Sequence, residues 1–408
     1  MATTLSFFPV ANGDMTLIQL GDANRSTLLV DCHFREPSSD PDNPIPDVLT
    51  PLRDRLPRDE KGRPYVDVFL LSHPDQDHCR GLATHFYLGP PDKYPDDAKP
   101  EAKKRILIKE IWSSPIAFRR ASATHVLCED AKAFCTEAKR RVAFNRARSF
   151  VGVGPGNQVL ILGEDVDGKT DDLGPILVRV DDGFSKIGGV PNPCFSAILL
   201  APLPPPHFEG DSTSKNDSSV VLNMTLASDP AQEQVRRFLT GGDAEVLVWE
   251  ALWVHNARRA QRLQYDLLLA PHHCSWHSLS HDSWSELRDE AEVSEDARNA
   301  LSQMRRGGAI VSSSAKILDD DCDPPCYGAK REYEGIAHEA SGTFYSTAED
   351  ADTETGEPLE FRISGYGLRR LGSSRSSRPK SLLRPAASAT ALAFPNRPVR
   401  PNKTAGFA

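Results

Sequence analysis

The chain has 408 residues, of which 39% are hydrophobic and 26% charged, a composition typical of a globular protein with one large domain or two ordinary ones. No apolar run reaches the roughly 20 residues of a membrane helix. Residues 1–10 also lack a basic segment and a cleavage site, so we predict neither a membrane span nor a signal peptide. The eight cysteines follow no disulfide framework, which predicts a reducing, cytoplasmic location.

The charge is unevenly distributed along the chain. Ten of the 48 Lys and Arg residues lie from Phe361 onward, where there is no Asp or Glu. Residues 1–360 therefore hold 38 basic and 57 acidic residues, a net charge of −19, whereas the whole chain has −9. An acidic body disfavours general binding to nucleic acid backbones. For the basic end we consider two interpretations, a soluble tail and a contact with nucleic acid.

Strands dominate the first part of the chain, and a helix follows them. Runs of apolar and β-branched residues predict strands over 3–8, 16–20, 26–31, 66–72, 106–112, 158–163 and 176–180. A helix is predicted over 117–148. Its basic residues are interpreted mainly as a solvated face; they are Lys132, Lys139, Arg140, Arg141, Arg146 and Arg148.

The second part repeats this order. Strands are predicted over 198–203, 219–226, 236–240, 265–269, 309–313 and 341–346, and helices over 244–264 and 283–304. Prolines at 204–206 end the first of these strands, and a polar loop follows over 209–216. The alternation predicts sheets flanked by helices, in an α/β or α+β layering. We predict a folded domain over 1–371 and a disordered tail over 372–408, which is rich in Ser, Pro, Arg and Ala.

The segment HPDQDH at 73–78 holds four metal-capable side chains in one short turn after a predicted strand. His73 and Asp75 are two residues apart and can point to one metal position. Asp77 and His78 are adjacent and can point to another where the backbone is kinked. A hydrolytic metal centre needs nitrogen and oxygen ligands that converge on one point. The alternative interpretation is a polar surface turn.

Two later segments could complete such a centre. Asp243 could bridge two cations or cap the helix predicted after it. Of the pair His272-His273 we favour His273 as a ligand and His272 as its supporting neighbour. The alternative for this pair is a solvated loop. Cys322 and Cys326 have no second cysteine pair, so we predict no structural zinc site there.

In combination and in order, these segments resemble the metallo-β-lactamase fold superfamily. The resemblance is specifically to the soluble hydrolase domain of ComEC-type DNA-uptake proteins and its free-standing relatives, which also have an aspartate at the position of Asp75. The resemblance covers about residues 3–366. Its segments are VANGD at 10–14, LLVD at 28–31, HPDQDH at 73–78, NDSSVVL at 216–222, FLTGGD at 238–243, PHHCS at 271–275, AIVSS at 309–313 and GTFY at 342–345.

The resemblance implies an α+β fold, namely an αββα four-layer sandwich with two sheets face to face and helices outside. It implies a hydrolase, most of all a phosphodiesterase or nuclease, in which two Zn²⁺ ions or alternatively Mn²⁺ activate a water molecule. The implied metal ligands are His73, Asp75, Asp77, His78, Asp243 and His273, with Asp77 and Asp243 assigned to catalysis. The residues expected to support the centre or contact substrate are Asp14, Asp31, His272, Ser275 and Asn216.

Three departures from the family pattern keep other functions open. The first metal position has no third histidine, because no motif surrounds His125, His207 or His255. Cys274 stands where the family has glycine, and is either a bystander or a soft ligand. The family's later histidine is missing near 324–326. We therefore also consider hydrolysis of a small ester, lactone or lactam, and a non-catalytic binding or signalling module with a protein partner. A phosphodiester substrate would be a nucleic acid or a nucleotide.

Overall fold

The computed structural model describes residues 2–36, 45–118, 127–165, 168–203, 216–231, 234–319 and 323–372. The predicted tail lies outside the described residues from 373 onward, as does all of the predicted polar loop except Asn216. His125, His207 and Cys322 also lie outside them.

The strands follow one another along the whole described chain. In chain order they are β1 (Thr4–Phe7), β2 (Thr16–Gln19), β3 (Thr27–Val30), β4 (Tyr65–Leu71), β5 (Phe86–Tyr87), β6 (Ile106–Ser113), β7 (Gln158–Leu162), β8 (Leu177–Val178), β9 (Gly183–Phe184), β10 (Lys186–Ile187), β11 (Val190–Pro191), β12 (Phe195–Ala201), β13 (Val221–Ala227), β14 (Val235–Thr240), β15 (Tyr265–Leu269), β16 (Met304–Ser312), β17 (Thr343–Ser346), β18 (Leu359–Ser364) and β19 (Gly367–Arg370).

The helices lie between these strands. They are α1 (Leu49–Arg55), α2 (Gln76–Cys79), α3 (Leu82–His85), α4 (Glu129–Ala147), α5 (Val246–His255), α6 (Trp284–Leu287), α7 (Glu295–Leu301), α8 (Tyr327–Glu339) and α9 (Thr347–Asp350). Within the described ranges, none of them combines the length and the apolar character that a bilayer crossing requires. Together with two mixed sheets, these helices give the predicted α+β class.

Two large sheets organise the strands. The first has the order β19-β18-β1-β2-β3-β4-β6-β7-β8, with β5 beside β6, and the second has the order β17-β16-β15-β14-β13-β12-β9. In each sheet one half is parallel, namely β3 to β8 and β14 to β17, and the other half is antiparallel. Parallel neighbours end at the same edge of a sheet, so residues that follow these strands are brought together.

Successive side chains of a strand pack alternately into two different hydrophobic cores. On β3, Leu28 and Val30 join a core that includes residues of both sheets, whereas Leu29 packs with helices α1 to α4. On β15, Leu267 joins the core shared by the sheets, and Leu268 packs with helices α5 to α8. Successive side chains of a strand point to opposite faces, so every central strand here is apolar on both faces.

All three predicted helices are shorter than expected, and the one predicted over 244–264 ends already at His255. The helix predicted over 117–148 begins only at Glu129, because Cys128 caps it by accepting a hydrogen bond from the Ala131 amide. The helix predicted over 283–304 is divided into α6 and α7, because Arg288 has a φ of 52° and cannot continue a right-handed helix. Elements that the sequence did not predict include α1, α8, β18 and β19.

Candidate metal centre

The candidate centre lies where strands of both sheets end. In the first sheet, Asp31 follows β3 and the segment 73–78 follows β4, while Asp14 precedes β2, which runs antiparallel to β3. In the second sheet, Asp243 follows β14 and the pair at 272–273 follows the parallel strand β15. The topology therefore brings together polar residues from five separate parts of the chain.

Asp243 lies at the middle of this cluster, and each of its carboxylate oxygens faces two imidazoles. Its Oδ1 is 2.9 Å from Nε2 of His78 and 3.5 Å from Nε2 of His273. Its Oδ2 is 3.4 Å from Nε2 of His73 and 3.7 Å from Nε2 of His272. The carboxylate thus separates two sets of nitrogen atoms, which is the arrangement that a bridging ligand requires.

Three groups of side chains in the described residues could each hold a metal ion, since their ligand atoms lie within 4.8 Å of one another. The first comprises Asp77, His78, Asp243 and His273, and the second comprises His73, Asp75 and Asp243. The third, Asp14 with Asp31 and His78, lies on the opposite side of the His78 ring from Asp243. All six predicted metal ligands therefore belong to the first two groups.

Several polar atoms of the cluster are buried without a hydrogen-bond partner. They include Nε2 of His73, Nε2 of His78, Oδ1 of Asp243 and Nδ1 of His273. Buried polar atoms are nearly always hydrogen-bonded, so a group of unpartnered nitrogen and oxygen atoms requires an explanation. A divalent cation is coordinated by such atoms, and the set of imidazoles and carboxylates fits zinc or manganese.

The electrostatics of the cluster favour positive charge. Burial alone would lower the pKa of His273, but the carboxylates of Asp243, Asp14 and Asp77 together outweigh it and raise that pKa to about 10. The pKa of His78 is raised well above its ordinary value because Asp243 and Asp31 together outweigh its burial. Burial would raise the pKa of Asp243, but the surrounding histidines hold it well below its ordinary value. A bound divalent cation would supply the same positive charge in place of protons.

Two further carboxylates orient the histidines. Oδ2 of Asp31 lies 2.8 Å from Nδ1 of His78, and Asp31 also accepts hydrogen bonds from the amide and hydroxyl of Ser72, at 2.7 and 2.6 Å. Oδ1 of Asp14 lies 3.4 Å from Nδ1 of His273, and burial raises the pKa of Asp14. With Nδ1 facing these carboxylates, both histidines present Nε2 to Asp243.

The turn at 271–275 explains why two neighbouring histidines face one carboxylate. His272, His273 and Cys274 have φ values of 50°, 53° and 68°, a left-handed run that non-glycine residues rarely adopt. The run turns both imidazoles toward Asp243, whereas neighbouring side chains of an extended chain point apart. His272 was expected only to support the centre, but its Nε2 faces the same oxygen as Nε2 of His73.

Cys274 lies outside the three groups of possible ligands in the described ranges. It is fully buried, and burial raises the pKa of its thiol. Its φ of 68° is one that glycine adopts without strain, and glycine stands at this position in the family that the sequence resembles.

The two predicted substrate-contacting residues make contacts within the protein. Nδ2 of Asn216 donates to Oε1 of Glu245 at 2.7 Å, and that oxygen lies 3.9 Å from Nδ1 of His272. The hydroxyl of Ser275 is buried and accepts a hydrogen bond from the amide of His277 at 3.0 Å. Glu245 was not predicted as a site residue, because it lies inside the segment 244–264, whose pattern is that of an ordinary helix.

No protein-family model and no curated protein sequence matches this chain. The functional inference therefore depends on the residues of the site. His255, considered above for the first metal position, lies elsewhere, with Nε2 3.2 Å from Oδ2 of Asp181.

Proposed function

We propose that this chain is a metal-dependent hydrolase of phosphodiesters with a metallo-β-lactamase fold of the ComEC type. One observation carries the proposal: histidines from 73–78 and 272–273 converge on the two oxygens of Asp243. Nε2 of His73, Nε2 of His78 and Oδ1 of Asp243 are buried without a hydrogen-bond partner, which supports a cation at this place.

The layering supports the proposed four-layer sandwich. One core is shared by the two sheets, a second lies between the first sheet and helices α1 to α4, and a third lies between the second sheet and helices α5 to α8. The candidate ligands also follow the strands in the chain order of that family. The layering and the chain order are features of the architecture, whereas the proposed chemistry depends on the metal ligands.

We assign the ligands to two cation positions. Asp77, His78 and His273 would hold one cation, and His73 and Asp75 would hold the other, with Asp243 between them. His272 provides a second imidazole for the position of His73 and Asp75, and burial lowers its pKa, which favours the neutral form that binds metal. The carboxylates of Asp75 and Asp243 provide oxygen ligands at this position, which suit Mn²⁺ as well as Zn²⁺.

Cations at these positions would lower the pKa of a water ligand toward neutrality and polarise a phosphoryl oxygen. The protein contributes the orientation of the imidazoles, because Asp31 and Asp14 hold the Nδ1 sides of His78 and His273. Candidate nucleophiles beside the centre are unsuited to attack, since Cys274 is a buried thiol with a raised pKa and the Ser275 hydroxyl is buried in a turn. Water is therefore the proposed nucleophile.

The test is hydrolysis of bis-p-nitrophenyl phosphate and of single-stranded DNA by the full chain with Zn²⁺ or Mn²⁺. Asp243→Asn should lower kcat/KM by more than about 100-fold, because it removes the carboxylate common to both positions. Asp266→Asn is the matched control, since Asp266 is a buried carboxylate at the start of β15, at the opposite edge of the same sheet. This control should retain activity.

Nitrocefin and acyl-lactones should be assayed in parallel. Turnover of these compounds without phosphodiester cleavage would replace the proposal with the small-molecule alternative. A protein that holds two metals and cleaves none of these substrates would be a binding module.

A further inference from the structure

A cavity of about 850 Å³ opens directly beside the proposed metal centre. Asp75 and Asp77 form part of its wall, and the beginning of helix α4 forms another part. A substrate whose phosphodiester lies at the metals would extend into this cavity. The side chains of the cavity wall therefore influence which substrate the proposed hydrolase accepts.

Most charged side chains of the cavity wall have a hydrogen-bond or ion-pair partner or belong to the proposed cation positions. The carboxylate of Asp130 accepts hydrogen bonds from the amides of Gly81 and Ala83, both at 2.8 Å. Nζ of Lys132 lies 2.8 Å from Oε1 of Glu129. Asp75 and Asp77 belong to the proposed cation positions.

Arg80 is the exception among the charged residues of this wall. It lines the cavity, is half-buried, and its guanidinium makes no hydrogen bond or ion pair with any other described residue. It directly follows helix α2, which holds Asp77, and both residues line this cavity. The cation and the proposed metal ligand therefore face the same space.

A second arginine increases the positive potential near Arg80. The pKa of Arg35 is lowered by burial and by the charge of Arg80, so the two cations are near each other. Arg35 also makes no ion pair with a carboxylate of the described residues. Two neighbouring guanidinium groups that have no acidic partner in the described part of the chain favour binding of an anion, and a guanidinium matches two phosphate oxygens at once.

We propose that Arg80 binds a second phosphate of the substrate, next to the one that is cleaved. This inference rests on the proposed phosphodiesterase function and narrows it. The substrate would be a nucleotide chain with a phosphate flanking the scissile phosphodiester, and an isolated diester would be a poorer substrate. Arg80 acts here as a specificity-determining residue.

The experiment compares cleavage of three dinucleotides by the full chain with Mn²⁺: TpT, pTpT and TpTp, which differ only in a terminal phosphate. The wild-type protein should cleave one of the phosphorylated forms with a kcat/KM about 10- to 100-fold above that of TpT, as expected for a charge-assisted contact. Arg80→Gln should reduce this ratio to near one, and Arg80→Lys should give an intermediate ratio. Lys132→Gln, which removes a paired cation from the same cavity, should keep the wild-type ratio.

Binding provides a readout that does not depend on turnover. A dye-labelled, uncleavable phosphorothioate analogue of the preferred dinucleotide should bind Arg80→Gln about 10-fold or more weakly than wild type in fluorescence anisotropy. Equal cleavage of all three dinucleotides by the wild type would overturn the Arg80 proposal and leave the phosphodiesterase proposal standing. So would a terminal-phosphate preference that persists in Arg80→Gln. If neither the dinucleotides nor bis-p-nitrophenyl phosphate is cleaved, the proposed function fails, and the Arg80 proposal fails with it.

Discussion

Asp31 and His78 are 47 residues apart in the sequence, yet Nδ1 of His78 lies 2.8 Å from Oδ2 of Asp31. Both residues are fully buried, and the same carboxylate accepts two hydrogen bonds from Ser72. The contact fixes the imidazole so that its Nε2 faces Asp243 at 2.9 Å. A carboxylate behind a metal-binding histidine orients the ring and increases its basicity.

Replacing Asp31 should therefore weaken metal binding although Asp31 belongs to neither of the two proposed cation positions. Asp31→Ala is expected to lower zinc affinity by about 10- to 100-fold, measured by competition with a fluorescent chelator. Asp67→Asn is the control, because Asp67 lies at the other end of β4 and accepts a hydrogen bond from the Thr27 amide at 2.9 Å. Equal zinc affinities of Asp31→Ala and Asp67→Asn would contradict the orienting role of Asp31.

Gly13 lies where a side chain would disturb the centre. A Cβ atom at this position would overlap the ring of His33 and lie 2.8 Å from the backbone oxygen of Asp77. Gly13→Ala should therefore displace the segment that carries Asp77 and lower zinc affinity, measured in the same competition assay. Gly335→Ala is the control, because Gly335 lies in helix α8 and a Cβ atom added there meets no atom within 4 Å. It should leave zinc affinity unchanged and stabilise the fold by about 0.5–1 kcal/mol. Unaltered zinc affinity of a folded Gly13→Ala would count against the packing described here.

The stability of the metal-free protein should depend on pH through the buried histidines. The pKa of His273 is raised from 6.5 to about 10, so protonation of its imidazole stabilises the folded state. This contribution is complete below about pH 6.5 and is lost as the pH rises toward about 10. The Tm of the chelator-treated protein should therefore fall over this range, measured by differential scanning fluorimetry.

Zinc should reduce that fall, because a bound cation takes the place of the protons and binds more tightly as they are released. The contribution of Asp243 to stability has the opposite pH dependence. Its pKa is well below the ordinary value of 3.8, so this contribution is present above pH 3.8 and is lost on strong acidification. A Tm of the metal-free protein that stays constant from neutral to alkaline pH would contradict the electrostatic description of the centre.

Cys128 should react with alkylating agents faster than Cys135. A hydrogen bond between Cys79 and Cys128, whose Sγ atoms are 3.7 Å apart, and a hydrogen bond from the amide of Ala131 lower the pKa of Cys128 to about 6. Its thiolate should predominate at neutral pH and react first with iodoacetamide. Cys135 lies on the same helix and is the internal control, because burial raises its pKa to about 11. Mass spectrometry of peptides after brief labelling checks the order; earlier labelling of Cys135 would contradict it.

The sequence predicted those parts of the fold and of the site that depend on contiguous residues. Strand β15 lies at the predicted residues, and the segment 73–78 forms a turn after β4, because both depend on contiguous patterns. The pairing of β1 with β18 could not be predicted, because it joins Thr4 to Arg362 and no local sequence pattern indicates it. The position of His272 depends on three left-handed residues, a conformation that propensities do not predict for histidine.

Anomalous diffraction at the zinc and manganese edges tests the central claim most directly. In crystals of the full chain with each metal, we expect one peak among Asp77, His78 and His273, and a second beside His73 and Asp75, with Asp243 between them. Metal peaks elsewhere, or none in this cluster at saturating metal, would contradict the account.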